Sequence, residues 1–230
     1  MFGLDTWVAG FSDGTTLLVV CLVAVVLGLR HATDPDHLAA VTTLVASGRG
    51  RSAARIGAVW GAGHATSLLV FGTPIVLARA YLPETVQRDA ETAVGGMIVV
   101  LAVSLLVRAR RGRFHVQVHE HDDHVHAHGA RTPWQAYAIG LVHGVGGSAG
   151  VGVLLLASIG SRTLALVALL LFATCTALSM SALTAGVGAT LTRPRVRQGF
   201  ARIAPLFGAV SLAFGAWYAL GAQGLVPYVL

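Results

Sequence analysis

Four side chains able to hold a metal ion fall within seven residues of this chain, in the stretch Arg30-His31-Ala32-Thr33-Asp34-Pro35-Asp36-His37. His31, Asp34, Asp36 and His37 offer imidazole nitrogen and carboxylate oxygen, a donor mix suited to borderline divalent ions such as nickel, cobalt and zinc. The cluster lies between two apolar runs, Leu17 to Leu29 and Leu38 to Ala46. Ionisable groups at membrane depth are costly, so they face a cavity or an ion pathway and mark function. A purely structural polar cluster holding helices together is the bland alternative, and several buried ionisable groups are a high cost for packing alone. No soft ligand is near; Cys21 is ten residues before His31, which argues against copper(I).

Two further histidines sit in Gly-rich apolar surroundings. His64 lies in Gly61-Ala62-Gly63-His64-Ala65-Thr66-Ser67, where small residues allow close helix approach and the imidazole can complete a coordination sphere. His143 lies in Gly140-Leu141-Val142-His143-Gly144-Val145-Gly146-Gly147, where the glycines mark an unwound segment or a simple kink with an incidental histidine. The candidate metal ligands are therefore His31, Asp34, Asp36, His37, His64 and His143. Asp34 and Asp36 neutralise one divalent ion, and neutral histidines complete its shell without added charge. Protons compete with metal for imidazole, so binding weakens as pH falls towards the ordinary histidine range of about 6.5. A third group is His115, His119, His121, His124, His126 and His128, with Glu120, Asp122 and Asp123 among them. Short His-rich tracts bind metals unselectively, and this one reads as an ion buffer that transport does not require.

The elements that must position these residues are membrane helices. Hydrophobic residues make up 55% of the chain and charged residues 11%, a composition that excludes an ordinary soluble domain. The net charge of +6 comes from sixteen arginines and no lysine. The arginines sit between apolar runs rather than in one patch, so topology explains them and nucleic acid does not. The two cysteines form no disulfide or zinc-ribbon pattern, and the acidic start of the chain does not read as a cleaved signal peptide.

Runs of roughly 20 apolar residues give six candidate spans: Thr15–Ser47, Ile56–Tyr81, Thr92–Val107, Trp134–Ile159, Thr163–Leu191 and Ala204–Leu220. The expected fold class is an all-α membrane protein of six transmembrane helices, with the first helix broken near Pro35. Asp34 followed by Pro35 has the form of an N-cap and first helical residue, so one half-helix ends near Arg30 and another starts at Pro35. Twelve arginines fall on one side of these spans and three on the other, which places the first side in the cytoplasm and both termini outside.

The chain divides into residues 1–107, a His/Arg-rich cytoplasmic linker 108–133, and residues 134–230, three spans on each side of the linker. Three being odd, the halves would be inverted relative to each other. An offset of 112 residues places Gly28-Leu29-Arg30-His31 on Gly140-Leu141-Val142-His143 and pairs Val41 with Val153, Leu44 with Leu156 and Ser67 with Ser179. The repeat puts His143 opposite His31 at one midplane site.

The first cluster resembles the nickel/cobalt transporter family, whose hallmark is His-x4-Asp-His within Arg-His-Ala-x-Asp-Ala-Asp-His-Ile. Here it reads Arg30-His31-Ala32-Thr33-Asp34-Pro35-Asp36-His37-Leu38, with Pro35 and Leu38 as departures. Gly63-His64-Ala65-Thr66 is similar to the family's Gly-His-Ser/Thr element. The family's later Asp-Thr signatures are absent, and the Gly-rich stretch around His143 stands in their place. With six spans, the chain is similar to the compact urease-accessory-type nickel permeases of the lysine-exporter-like superfamily. The resemblance implies a secondary transporter for nickel or cobalt (zinc being a third candidate), with His31, Asp36 and His37 as ligands and His64 as a fourth. It implies a cytoplasmic-membrane location, with urease or hydrogenase maturation as the downstream consumer of imported metal and homo-oligomers compatible with the fold. Export is the alternative direction. A membrane acyltransferase is a competing class, because His31-x4-Asp36 matches an arrangement in which Asp orients a His general base; no loop is long enough for the phosphate-binding domain such enzymes need. A metal sensor or chaperone subunit would need a soluble domain that the sequence lacks.

Overall fold

The computed structural model describes residues 14–45, 51–78, 83–111, 132–146, 153 and 157–227. Its elements are helices: α1 (Gly14–His31), α2 (Pro35–Val45), α3 (Arg51–Ala78), α4 (Glu84–Arg110), α5 (Pro133–His143), α6 (Arg162–Thr190) and α7 (Pro194–Ala222). Among the described residues there is no strand. The helices α3, α4, α6 and α7 have 27 to 29 residues each. At 1.5 Å per residue that is about 40 Å, longer than the roughly 30 Å hydrocarbon core. These four are apolar enough to cross a membrane, and α1 with α2 makes a fifth, bent candidate. Large apolar side chains such as Leu18, Leu22, Val26, Val100, Leu170, Leu178 and Val210 lie exposed on the outside of the bundle, as a lipid solvent demands and water does not.

The first span is broken where the sequence places Pro35. α1 ends at His31, α2 starts at Pro35, and the two halves bend by 47°. Proline has no N–H and holds the preceding residue off the helical region, so the helix cannot run through. A tight turn absorbs the freed carbonyls: Thr33 N donates to Arg30 O at 2.8 Å and Asp34 N to His31 O at 3.1 Å. Thr33 Oγ1 adds a 2.6 Å bond to Arg30 O. Irregular backbone at membrane depth is tolerated only where protein covers it, and Ala32 within the turn is fully buried.

The fourth expected span begins as α5. Thr132 and Gln135 form a reciprocal capping box, and Pro133 supplies a first residue whose missing N–H costs nothing. The helix stops at His143, followed by a turn at Gly144. The expected continuation towards Ile159 falls largely on residues 147–152 and 154–156, which lie outside the described residues, as does the His-rich tract 115–128.

Two glycines decide how closely the helices approach. A Cβ on Gly28 would lie 2.6 Å from Phe172 O and 3.2 Å from Thr176 N, so α1 meets the α6 backbone directly. A Cβ on Gly140 would collide with Trp60 O and lie 2.8 Å from His64 N, so α5 meets the α3 backbone in the same manner. Hydroxyls tie the same interfaces: Ser67 Oγ donates to Leu141 O at 2.6 Å and Ser179 Oγ to Leu29 O at 2.8 Å. Between them α3 and α6 pack antiparallel, Gly57 against Thr184 and Gly72 against Leu169. α4 packs on α7 through Gly95 and Gly215.

Candidate metal centre

The break in the first span, the middle of α3 and the end of α5 converge on one buried knot of histidines. His37, His64 and His143 are completely buried; His31, Asp34 and Asp36 are nearly so. His31 and His37 have ring centroids 4.5 Å apart, His37 and His143 4.2 Å, His37 and His64 5.1 Å, and His64 and His143 5.8 Å. All six candidate residues are therefore brought together.

On a continuous helix, His31, Asp34 and His37 would spread around the surface. The 47° bend lets α1 present His31 and α2 present Asp36 and His37 to the same centre. His64 comes from the face of α3 that also carries Trp60, one turn earlier. The Trp60 indole lies 5.8 Å from both the His37 and the His143 rings and walls off that side. The Phe172 ring from α6 lies 5.6 Å from His31 and closes the opposite side.

The hydrogen bonds assign distinct roles. Asp34 Oδ2 lies 3.2 Å from His31 Nδ1, and its other oxygen faces the exposed Arg30 guanidinium at 3.8 Å. A carboxylate only accepts, so His31 carries its proton on Nδ1 and turns the lone pair of Nε2 inward. There Nε2 lies 3.1 Å from His64 Nε2. This is the carboxylate–histidine arrangement that orients metal ligands from behind. Asp36 bridges two rings: Oδ1 is 3.1 Å from His37 Nδ1 and Oδ2 is 3.0 Å from His143 Nε2. With both oxygens on those rings, Asp36 does not form the His31–Asp36 dyad that an acyltransferase reading needs.

Among the described residues, the ring nitrogens His37 Nε2, His64 Nδ1 and His143 Nδ1 are buried without a hydrogen-bond partner. Buried polar atoms are nearly always satisfied, and a neutral imidazole nitrogen with a free lone pair is a metal donor. Two sets of three ligand atoms lie within 4.8 Å of one another: His31, His37 and His64, and Asp36, His37 and His143. Donors about 2 Å from a common ion stand up to about 4 Å apart, so small side-chain shifts close either set. Asp34 is in neither set and touches the back of His31.

Trp60, Phe172, Ser67 and Ser179 are supporting residues that the motif reading does not single out as part of the site. The signal that finds them is the 112-residue offset, which carries Trp60 onto Phe172 as it carries Ser67 onto Ser179.

The chain as a whole is similar to known proteins. The chain is 28% identical over 214 residues to the urease accessory protein UreH of Bacillus sp. (strain TB-90), covering 90% of this chain and 92% of that protein. It is 34% identical over 113 residues to the high-affinity nickel transport protein of Cupriavidus necator, and 35% identical over 88 residues to the cobalt transport protein NhlF of Rhodococcus rhodochrous. The chain is related to nickel and cobalt transport proteins. These two matches cover 47% and 37% of this chain and 32% and 25% of the relatives' lengths, so it spans under a third of each, while the UreH match runs nearly end to end. No family model matches the chain. No solved structure matches it.

Proposed function

We propose that this protein is a secondary transporter that carries nickel, and cobalt as a second cargo, across the cytoplasmic membrane through the His31/Asp36/His37/His64/His143 knot. The observation that carries the reading is that two overlapping ligand sets, both including His37, are fully enclosed in a bundle of membrane-length helices. A resident structural ion would need one closed set; a cargo needs a site it can enter and leave. The donor chemistry suits nickel and cobalt, and two of the relatives named above carry one of those metals in their names; none of them names zinc. Inward transport is the direction we take, because the relative matched along its whole length is a urease accessory protein, and urease maturation consumes metal inside the cell.

The architecture we propose is six spans in two inverted halves, residues 1–107 and 134–230, joined by the linker 108–133, with both termini outside. Three kinds of observation support it. The offset that relates His31 to His143 also carries the end of α3 (Ala78) onto the end of α6 (Thr190) and the end of α4 (Arg110) onto the end of α7 (Ala222). The close contact of Gly28 with Phe172 and Thr176 has its image in that of Gly140 with Trp60 and His64. The bond Ser179–Leu29 has its image in Ser67–Leu141. Contacts related in this way are what a two-fold axis in the membrane plane generates. The orientation rests on the arginine asymmetry.

The deciding experiment is metal accumulation by purified protein in liposomes, comparing nickel, cobalt and zinc with and without an imposed pH gradient. Nickel and cobalt uptake above that of protein-free liposomes is expected. Uptake equal to the protein-free control for every metal would sink the transporter reading.

A further inference from the structure

Resting on that reading, we propose that the cargo occupies two successive positions that share His37, and that the hydroxyl of Thr176 is a ligand of the second. The first position is His31, His64 and His37; the second is His143, Asp36, His37 and Thr176.

The offset of 112 that places His31 on His143 places His64 on Thr176. The images are structural as well as numerical. Phe172 lies one turn before Thr176 on α6 and faces the His31 ring, as Trp60 lies one turn before His64 on α3 and faces the His143 ring. The backbone N of Thr176 touches Gly28 as that of His64 touches Gly140. Thr176 therefore occupies on α6 the place that His64 occupies on α3. His64 meets His31, the end of α1; the offset sets Thr176 in the corresponding relation to the end of α5, which is His143.

Thr176 is fully buried, and its Oγ1 has no hydrogen-bond partner among the described residues. A threonine hydroxyl inside a helix ordinarily bonds a carbonyl of the preceding turn, as Thr184 does to Met180 O on the same helix. A buried hydroxyl that declines this bond is unexpected unless something else uses it. The second ligand set, Asp36, His37 and His143, has three donors; an oxygen from Thr176 brings it to the four that a tetrahedral ion takes.

The two positions differ in their donors: the first holds three imidazoles, and the second holds two imidazoles, the Asp36 carboxylate and a neutral hydroxyl, which is a weaker donor for nickel and cobalt than imidazole. His37 belongs to both sets, so the ion passes from one to the other without losing every protein ligand at once. Two sites that share a ligand meet the requirement that an ion bind well enough to enter and weakly enough to leave.

The test uses the full chain, with Co2+ as a spectroscopic probe in detergent and as cargo in liposomes. Thr176→Val keeps the shape and removes the oxygen. Its maximal flux is expected to fall about tenfold at an unchanged half-saturating concentration, with tight Co2+ binding retained. Thr176→Ser should restore the flux. In a His64→Ala background, where the first position is lost, the remaining Co2+ absorption should vanish with Thr176→Val and persist with Thr176→Ser. If Thr176→Val does not give monodisperse protein, Thr176→Ala is read in its place. Flux and residual Co2+ binding equal to the parent in both backgrounds would overturn the second position. Loss of flux in His37→Ala with no effect at Thr176 overturns this inference alone, whereas normal flux in His37→Ala overturns the transport site with it.

Discussion

The carboxylate of Asp36 and the imidazole of His143 meet at 3.0 Å, although 107 residues separate them in the chain. The contact joins the broken first span to the end of α5, across the boundary between the proposed halves. Its other oxygen holds His37, so one aspartate sets the position of two rings. Replacing Asp36 by Asn keeps the size and removes the charge. Metal affinity, measured by titration of the purified protein, is expected to fall at least tenfold, because the ion loses an anionic partner and one of the two rings loses its acceptor. Unchanged affinity would show that the bridge is structural only.

His37→Ala should abolish transport with expression and monodispersity retained. The residue sits in both ligand sets, and its Nε2 is buried without a partner in the described structure. Initial rates of nickel uptake in liposomes give the measurement. A rate near that of the parent would remove the knot from the pathway.

Ser67→Ala and Ser179→Ala should destabilise the protein by similar amounts, about 0.5–1 kcal/mol each. Each hydroxyl makes one interhelical bond to a carbonyl, 2.6 Å for Ser67 and 2.8 Å for Ser179. Thermal unfolding in detergent would compare them. A large loss for one and none for the other would argue against equivalent interfaces.

Gly140→Ala should be more damaging than either serine change. The added methyl would strike the carbonyl of Trp60, a backbone atom that cannot swing aside. Overpacking of this kind costs about 1–3 kcal/mol, and here it would push α5, with His143 at its end, away from His64. Both the melting temperature and metal affinity should drop; wild-type values for both would contradict the close packing.

Removing residues 115–128 should lower metal loading at scarce nickel and spare transport at saturating nickel. The tract carries six histidines but lies outside the apolar spans, so it concentrates ions without forming the path. Complete loss of transport at saturating metal, in a well-folded deletion, would make the tract part of the pathway.

The chemistry of the site and the break in the first span were legible in the sequence. Proline cannot continue a helix, an apolar run that long must cross or fold within a membrane, and ionisable side chains there must be used; these are local constraints, written in residue type and spacing. The proposed repeat is written in the sequence only as a faint offset, carried by glycines and serines that lie where helix backbones touch. What each carboxylate does was not legible. Asp34 and Asp36 are two residues apart and chemically identical, yet Asp34 turns back to the outer nitrogen of His31 while Asp36 bridges His37 and His143. That choice follows from the bend between α1 and α2 and from where α5 ends, both set by helix–helix contacts. Nor could spacing reveal two ligand sets with His37 in both, or an unpartnered hydroxyl at Thr176. Coordination depends on distances of a few ångströms between side chains from four separate helices, and only the packing of those helices determines them.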